Sequence, residues 1–379
     1  IAFLAAVFFL IHPINTEVVN WASAAVELTF ALFVLLSIIF YMKYRANFST
    51  RNLVLVYIFY FLGILAKEPA AFLPIIFAAI DLLFFKVPIR SFFRFPNLKM
   101  YLLFAVPVIL YMVMRSLVIG FSLSVGYGFW QLSFSEHVYA SITLFASYVS
   151  KLFYPYHHNV FHAFEKTSYF LSPVFLISLV TTVAFVSLLF IFYKKRQYIL
   201  LFSFIWFFVF LSPAIIFLDA VGENVLSERY LFVPTMGFAI AVGYFIKFAR
   251  IPQRFLILGL GVFLLMSSWW IVYHRNQDWR SPEVMYTKTL EQNPEAQSVR
   301  YNLARIYFEN GEYERSKEQY ERMIQINPTW KDITMAYKGL GDYYKSQDDE
   351  EKTLEYYLRA TETSFSPRDY VVYNDVGVL

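Results

Sequence analysis

The chain changes character near residue 274. Before that point it consists of long apolar runs separated by short polar segments, and after it a charged residue occurs about every third position. Apolar runs of about 20 residues are typical of helices that cross a membrane, because a helix satisfies its backbone hydrogen bonds within the segment. We therefore predict an all-α protein, with a multi-span membrane domain over 1–274 and a soluble helical domain over 275–379.

Eight apolar segments in the first part are candidate membrane helices. They are residues 23–42, 52–66, 69–85, 99–119, 171–193, 198–218, 231–249 and 255–274. The first eleven residues are also apolar but too short for a full crossing by themselves. Because the chain starts without Met inside this apolar run and ends as abruptly, we expect the sequence to be a fragment of a longer protein.

Basic residues are distributed unevenly over the membrane part. Residues 1–274 carry 18 Lys or Arg and 9 Asp or Glu, and 13 of these basic residues fall in four segments without an acidic residue. Those segments are Lys43–Arg51, Lys86–Lys99, Lys194–Arg196 and Lys247–Arg254. Cytoplasmic loops are rich in Lys and Arg. We therefore predict that these four segments are cytoplasmic and that the alternate loops, with everything after residue 274, lie outside.

Residues 137–153 do not fit this alternation. They have the pattern of a short helix, yet a full crossing there would move Lys194–Arg196 to the outer side. We predict an interfacial or re-entrant helix on the outer face, with Tyr148, Tyr154 and Tyr156 at the level of the lipid headgroups. An additional span is the alternative.

The soluble part shows a 34-residue repeat, the spacing between Pro294 and Pro328. The small, aromatic and helix-ending positions of a tetratricopeptide repeat are matched by Leu303, Ala304, Tyr307, Gly311 and Tyr320. A second copy contains Leu340, Gly341, Tyr344, Tyr357 and Ala360, a third begins at Val376, and a half-repeat precedes the first. This pattern predicts an α-solenoid whose concave surface binds peptides or partner proteins. A purely structural stack is the alternative.

Three polar clusters lie at predicted outer ends of spans. They contain His12 and Glu17 in HPINTEVVNW, Lys67 and Glu68 in LAKEP, and Glu228 and Arg229 in SERY. Charged residues at a membrane are energetically costly, so each cluster is a functional hypothesis. The cations Lys67 and Arg229 suit an anionic lipid headgroup, since Arg can bind phosphate through two hydrogen bonds. The alternative is that these residues only start or cap helices.

Other kinds of site have little support in the sequence. His157, His158 and His162 could bind a metal, but Glu165 is the single carboxylate nearby, so an interfacial loop is preferred and a divalent metal stays open. The absence of Cys excludes a thiolate zinc site and a Cys nucleophile. Because glycine-rich phosphate loops and nucleic-acid motifs are absent too, we assign no cofactor and expect no nucleic acid partner.

The order of the motifs resembles that of one family. HPINTEVVNW, LAKEP, SERYLFVPTMGF and RNQDW, followed by tetratricopeptide repeats, resemble the transmembrane and tetratricopeptide-repeat-containing O-mannosyltransferases and their prokaryotic relatives, over most of the chain. The resemblance implies a GT-C glycosyltransferase fold, truncated here at its N-terminus, with its active site facing away from the cytoplasm. Such enzymes transfer a sugar, mannose or a similar hexose, from a polyprenyl-phosphate carrier to a hydroxyl of a protein or glycan.

The resemblance also implies roles for the polar residues. Arg229 and Lys67 would bind the donor phosphate, while the residues lining the donor–acceptor cavity would be His12, Glu17, Glu68 and Glu228. The catalytic acid is expected upstream of Ile1, so we assign no general base. The repeats would contact the acceptor outside a bacterial or archaeal plasma membrane. Two other classes stay open, a transporter or flippase of a lipid-linked sugar and a membrane-anchored scaffold.

Overall fold

The computed structural model describes residues 1–95, 97–119, 132–154, 161–162, 172–221, 224–248, 266, 269–328 and 333–363. Regular secondary structure in these residues is helical, which confirms the all-α prediction. The chain divides into two compact units, one of Ile1–His158 with Phe164–His274 and the other of Asn159–Ala163 with Arg275–Leu379.

The first unit contains the apolar helices. In chain order they are α1 (Ala2–Ile11), α2 (Thr16–Asn20), α3 (Ala25–Asn47), α4 (Thr50–Ala66), α5 (Leu73–Leu83), α6 (Ile89–Phe92), α7 (Asn97–Leu103), α8 (Ala105–Ile119), α9 (Phe134–Phe153), α10 (Pro173–Lys194), α11 (Tyr198–Ile216), α12 (Leu218–Val221) and α13 (Phe232–Phe248). Short 3₁₀ turns occupy Pro13–Asn15, Ala22–Ala24, Glu68–Phe72 and Glu228–Leu231.

Five helical stretches in the described residues are long and apolar enough to cross a membrane. They are Ala22–Asn47, Asn97–Val118, Pro173–Lys194, Tyr198–Ile216 and Glu228–Phe248. A sixth candidate is the pair Ala2–Ile11 and Pro13–Asn20, which is bent by 59°, and Thr50–Ala66 is a shorter apolar helix. Four of the eight predicted spans, 23–42, 99–119, 171–193 and 198–218, therefore coincide with these helices, and 231–249 coincides with the fifth; the predicted spans 52–66 and 69–85 form the shorter helices Thr50–Ala66 and Leu73–Leu83. Most of the predicted span 255–274 lies outside the described residues.

Helix α13 packs closely against α11 and α1. A Cβ atom at Gly237 would lie 2.6 Å from the carbonyl oxygen of Ser203 on α11, and one at Gly243 would lie 2.9 Å from the carbonyl oxygen of Ile1, next to α1. Glycine is required where two backbones approach this closely. Because α13 is held against both helices, the residues just before it lie beside those that follow α1.

A buried ion pair joins α3 and α5. Arg45 Nε lies 2.8 Å from Asp81 Oδ1, with side chains 7% and 0% exposed. The Tyr101 hydroxyl donates to Asp81 Oδ2 at 3.0 Å and lies 3.1 Å from the Tyr41 hydroxyl. The sequence had placed Arg45 in a loop. That placement is wrong, because a buried carboxylate compensates its charge and α3 continues to Asn47.

The second unit is a stack of helix pairs. Its helices are α14 (Pro282–Gln292), α15 (Gln297–Glu309), α16 (Tyr313–Ile326), α17 (Ile333–Ser346) and α18 (Glu350–Glu362). Gly311 ends α15 with a φ of 80°, which favours glycine. Gly339 and Gly341 on α17 leave room for the buried rings of Tyr320 and Tyr357. Tyr320, Gly341 and Tyr357 are positions that the repeat pattern predicts, whereas Gly339 was not predicted. The third repeat at Val376 lies outside the described residues.

Candidate functional site

The sequence motifs lie at three of the 3₁₀ turns. Pro13–Asn15 follows α1, Glu68–Phe72 precedes α5, and Glu228–Leu231 precedes α13. Pro13 and Pro69 stand at the start of the first two turns, where the missing N–H of proline costs no hydrogen bond. The turn Pro13–Asn15 contacts the turn Glu228–Leu231, so the first and third motifs are neighbours despite their separation in sequence.

Glu17 connects these two motifs directly. Its side chain is fully buried, and Oε1 accepts a hydrogen bond from the Ser227 hydroxyl at 2.9 Å. Its Oε2 accepts a hydrogen bond at 3.1 Å from the backbone N–H of Arg229, 212 residues away in the chain. A buried carboxylate is stable only when such donors replace water. Glu17 therefore holds the segment that carries Arg229.

Lys67 connects the second motif to the third. Its Nζ forms an ion pair with Glu27 Oε1, a carboxylate near the start of α3 that is almost fully buried. The same Nζ lies 4.7 Å from the centre of the Tyr230 ring, the distance of a cation–π contact. Lys67 therefore pairs with Glu27, across the fold, instead of its neighbour Glu68.

Arg229 contacts the ring of the same tyrosine. The guanidinium carbon is 5.3 Å from the centre of the Tyr230 ring and 4.9 Å from that of Trp21. Its charge also interacts with Glu17 and Glu27. Arg229 is half-buried and the Lys67 side chain is 18% exposed, so both cations border Tyr230 while remaining in part accessible.

Helix α9 contacts the segment that precedes α13. Lys151 Nζ lies 3.3 Å from Oε1 of Glu228, and the two side chains are 11% and 0% exposed. The hydroxyl of Tyr148 donates to the carbonyl oxygen of Val225 at 2.6 Å. Tyr148 is fully buried inside the protein, so its ring does not contact lipid, while its level relative to the headgroups stays a prediction. Its hydroxyl supports the segment before Glu228 instead.

His12 belongs to the same framework. Its Nδ1 accepts a hydrogen bond from the backbone N–H of Ile14 at 3.3 Å, and its Nε2 lies 3.1 Å from the carbonyl oxygen of Leu152 on α9. Both bonds form when the ring is neutral and carries its proton on Nε2. In that tautomer His12 caps the turn at Pro13 and ties the end of α1 to α9.

Glu68 lies apart from this group. Its side chain is 59% exposed, and its Oε1 accepts hydrogen bonds from Arg115 Nη1 and from the Tyr111 hydroxyl, both at 2.7 Å. Arg115 and Tyr111 come from α8, one helical turn apart. Glu68 thus joins the turn before α5 to α8, and the second motif contributes its two charges to different contacts.

The polar cluster formed by these residues has balanced charge. Its carboxylates are Glu17, Glu27 and Glu228, and its cations are Lys67, Lys151 and Arg229. Three negative charges offset three positive ones, and the cations in contact with the Tyr230 ring are Lys67 and Arg229. Among the described residues no group of three His, Asp or Glu side chains could hold a metal ion, and His157 and His158 lie outside them.

Sequence reasoning did not single out two of the contributing side chains, Lys151 and Arg115. Each is a charged residue inside an otherwise apolar segment, in ASYVSKLF and VMRSLVI. Such isolated charges are a detectable signal, because they need a partner within the protein. The partner itself cannot be predicted from sequence, since Lys151 and Glu228 are 77 residues apart.

Comparison with known proteins finds a repeat family and several O-mannosyl-transferases. A model described as Tetratricopeptide repeat matches residues 277–337. The chain is 32% identical over 112 residues to Protein O-mannosyl-transferase Tmtc2 of Drosophila melanogaster, covering 29% of this chain and 12% of the relative. It is 25% identical over 139 residues to human Protein O-mannosyl-transferase TMTC3, covering 36% and 15%.

A longer alignment links the chain to a nematode protein. It is 24% identical over 348 residues to Protein O-mannosyl-transferase F38B6.6 of Caenorhabditis elegans, covering 87% of this chain and 46% of that protein. The chain thus spans less than half the length of each of these relatives. No solved structure matches it at a significant level. Since an alignment over 87% of the chain must include membrane helices and repeats alike, the chain is a distant homologue of the protein O-mannosyl-transferases.

Proposed function

We propose that the full-length protein transfers a hexose, mannose or a close relative, from a polyprenyl-phosphate carrier to a hydroxyl of a protein or glycan. The observation that carries this proposal is that two cations, Lys67 and Arg229, contact the ring of Tyr230 while both remain in part accessible. The distant homology of the chain to protein O-mannosyl-transferases supports a glycosyl transfer as the reaction. The distribution of basic residues favours the extracytoplasmic face, with the repeats on the same side.

In this proposal the cations bind the phosphate of the donor. Arg229 offers a planar group that can bind two phosphate oxygens, and Lys67 offers a second positive charge. Glu17, Glu228 and His12 line the site and support these cations. Glu17 accepts from the N–H of Arg229, Glu228 pairs with Lys151, and His12 contacts the Leu152 carbonyl. Glu68 belongs to the rim of the site, where it contacts α8.

The chemistry would be displacement at the anomeric carbon of the sugar. The acceptor hydroxyl loses its proton to a base as its oxygen forms the new bond, and the carrier phosphate leaves. The leaving phosphate gains negative charge, so Lys67 and Arg229 would stabilise the transition state more than the ground state. We assign no general base among the residues that the structure describes.

Sugar transfer by the full-length protein in membranes tests this proposal. With a radiolabelled polyprenyl-phosphate hexose, the parent protein should label a protein or glycan, whereas a flippase would move the donor without forming this product. Arg229→Ala should weaken donor use by about 2–5 kcal/mol, because it removes a charge-assisted contact of a half-buried guanidinium. Arg229→Lys should weaken it less, since the charge remains but the planar group is lost.

The matched control is Arg90→Ala, which removes an exposed arginine from the predicted cytoplasmic side. It should transfer sugar like the parent. Expression of each variant is checked in the same membranes. The phosphate role of Arg229 is contradicted if Arg229→Ala protein accumulates normally and keeps the donor affinity and rate of the parent.

A further inference from the structure

The cation at the end of α9 has a place that sequence motifs do not explain. Lys151 lies in the last turn of α9, and its Nζ is 3.3 Å from Oε1 of Glu228. Glu228 is 0% exposed, so its negative charge is screened by protein groups and not by water. A buried carboxylate needs a compensating positive charge close by.

Glu228 also directly precedes Arg229 in the chain. The two side chains leave the turn Glu228–Leu231 toward different surroundings, Glu228 toward Lys151 and Arg229 toward the Trp21 ring. Without a compensating cation, the Glu228 carboxylate would oppose the approach of an anion to Arg229. In a poorly hydrated site this opposition is stronger than in water.

The Lys151–Glu228 pair gives α9 a specific part in the site. A cation 3.3 Å from Glu228 offsets the negative charge of that carboxylate, so Glu228 would oppose an anion at Arg229 and Lys67 less strongly. The hydrogen bond from Tyr148 to the Val225 carbonyl, 2.6 Å long, keeps the same stretch of chain against α9. Helix α9 therefore both supplies the cation that compensates Glu228 and holds the segment before Glu228 in place.

We propose that Lys151 is a positioning residue that neutralises Glu228 and thereby preserves the affinity of the Arg229 site for the phosphate of a lipid carrier. The inference rests on the proposed function for the identity of this ligand. Lys151 acts through Glu228 in this account, so removal of both charges should be tolerated better than removal of the cation alone.

Binding of polyprenyl phosphate without sugar to the full-length protein in detergent tests the inference. Lys151→Met should weaken this binding on the order of tenfold. The double variant Lys151→Met with Glu228→Gln should return to within about threefold of the parent, and Lys151→Arg should bind like it. Lys195→Met, the same change at an exposed lysine, is the control and should have no effect.

A single variant keeps the test decisive if Lys151→Met does not fold. Glu228→Gln leaves Lys151 in place and adds net positive charge beside Arg229, so it should tighten polyprenyl phosphate binding. Unchanged or weaker binding by Glu228→Gln, or a double variant that binds as poorly as Lys151→Met, overturns the inference. If the ion pair were merely structural, its loss would lower the melting temperature of these variants, but the affinity for polyprenyl phosphate would not weaken in Lys151→Met, recover in the double variant and tighten in Glu228→Gln.

The proposed function is judged separately by sugar transfer. If the binding pattern is found but the parent protein transfers no hexose, the transferase proposal fails and the role of Lys151 stands. If the parent transfers hexose and Arg229→Ala weakens donor use, but Glu228→Gln does not improve binding, the role of Lys151 fails alone.

Discussion

Glu17 shows how the site accommodates a charge in a helical membrane unit. The carboxylate is fully buried, yet it accepts hydrogen bonds from the Ser227 hydroxyl and from the N–H of Arg229. The sequence identifies Glu17 as an unusual polar residue in HPINTEVVNW. The sequence could not indicate that the Glu17 carboxylate accepts hydrogen bonds from a distant segment, because both donors lie more than 200 residues away.

Removal of this carboxylate should destabilise the first unit. Glu17→Ala leaves two buried donors without their acceptor and should lower the free energy of unfolding by about 2–4 kcal/mol. Glu17→Gln keeps an acceptor oxygen and should cost less. The measurement is the thermal unfolding midpoint of the purified protein in detergent. Glu295→Ala, at an exposed position of the second unit, is the control. Equal midpoints for Glu17→Ala and the control would contradict the prediction.

At the scale of elements, α9 is the helix that the sequence predicts over 137–153, but its contacts were not predicted. It extends over twenty residues and packs against α10 and α11. The Ser141 hydroxyl donates to the carbonyl oxygen of Ile215 at 2.7 Å, and His137 Nε2 lies 2.6 Å from that of Ile216. These contacts satisfy carbonyls that the end of α11 leaves without a helical partner. Its polar residues therefore serve neighbouring helices, and whether α9 crosses the membrane stays a prediction.

The helix pair α17 and α18 depends on one small residue. A Cβ atom at Gly341 would overlap the buried ring of Tyr357. Gly341→Ala should therefore reduce the stability of this pair by about 1–3 kcal/mol, the range for overpacking a core. The expected readout is faster hydrogen exchange in α17 and α18 of the full chain. Gly311→Ala, where nothing lies within 4 Å, should affect only the turn after α15.

A second substitution tests the cause of that effect. Tyr357→Leu shortens the side chain opposite Gly341, so it should restore part of the protection that Gly341→Ala loses. Exchange rates in α17 that do not change with Gly341→Ala would contradict the packing argument.

At the scale of the whole molecule, the distribution of charge predicts the orientation. Cys substituted at Ser49, between α3 and α4, should react with a membrane-impermeant thiol reagent from the cytoplasmic side, and Cys at Ser346, in the second unit, from the outer side. The natural chain contains no Cys, so each label reports one position. Ser37→Cys is the control. Ser37 is fully buried and donates to the Val56 carbonyl, so it should react from neither side.

Labelling of both positions from the same side would contradict the predicted orientation. It would also remove the argument that the polar cluster faces away from the cytoplasm, which rests on the same count of basic residues. The structural contacts within the cluster would be unaffected, because they do not depend on which side they face.

The sequence by itself determined the helical class, the repeat unit and the residues of interest. Apolar runs, a 34-residue period and isolated charges are local patterns, and local patterns report what a segment must bury or bind. Positions such as Gly341 and Tyr357 were therefore predictable, since each repeat forms its pair from residues close in sequence.

Only the tertiary structure decided the partners of those charges. Lys67 directly precedes Glu68 in the sequence but forms its ion pair with Glu27. The charge of Glu228 is compensated by Lys151. Arg45 appeared to be a loop residue, yet it is buried against Asp81. Sequence shows that a charge in an apolar environment needs compensation, because its desolvation is costly. Which side chain supplies that compensation depends on how the helices pack, as when the glycines of α13 bring Glu17 to the backbone of Arg229.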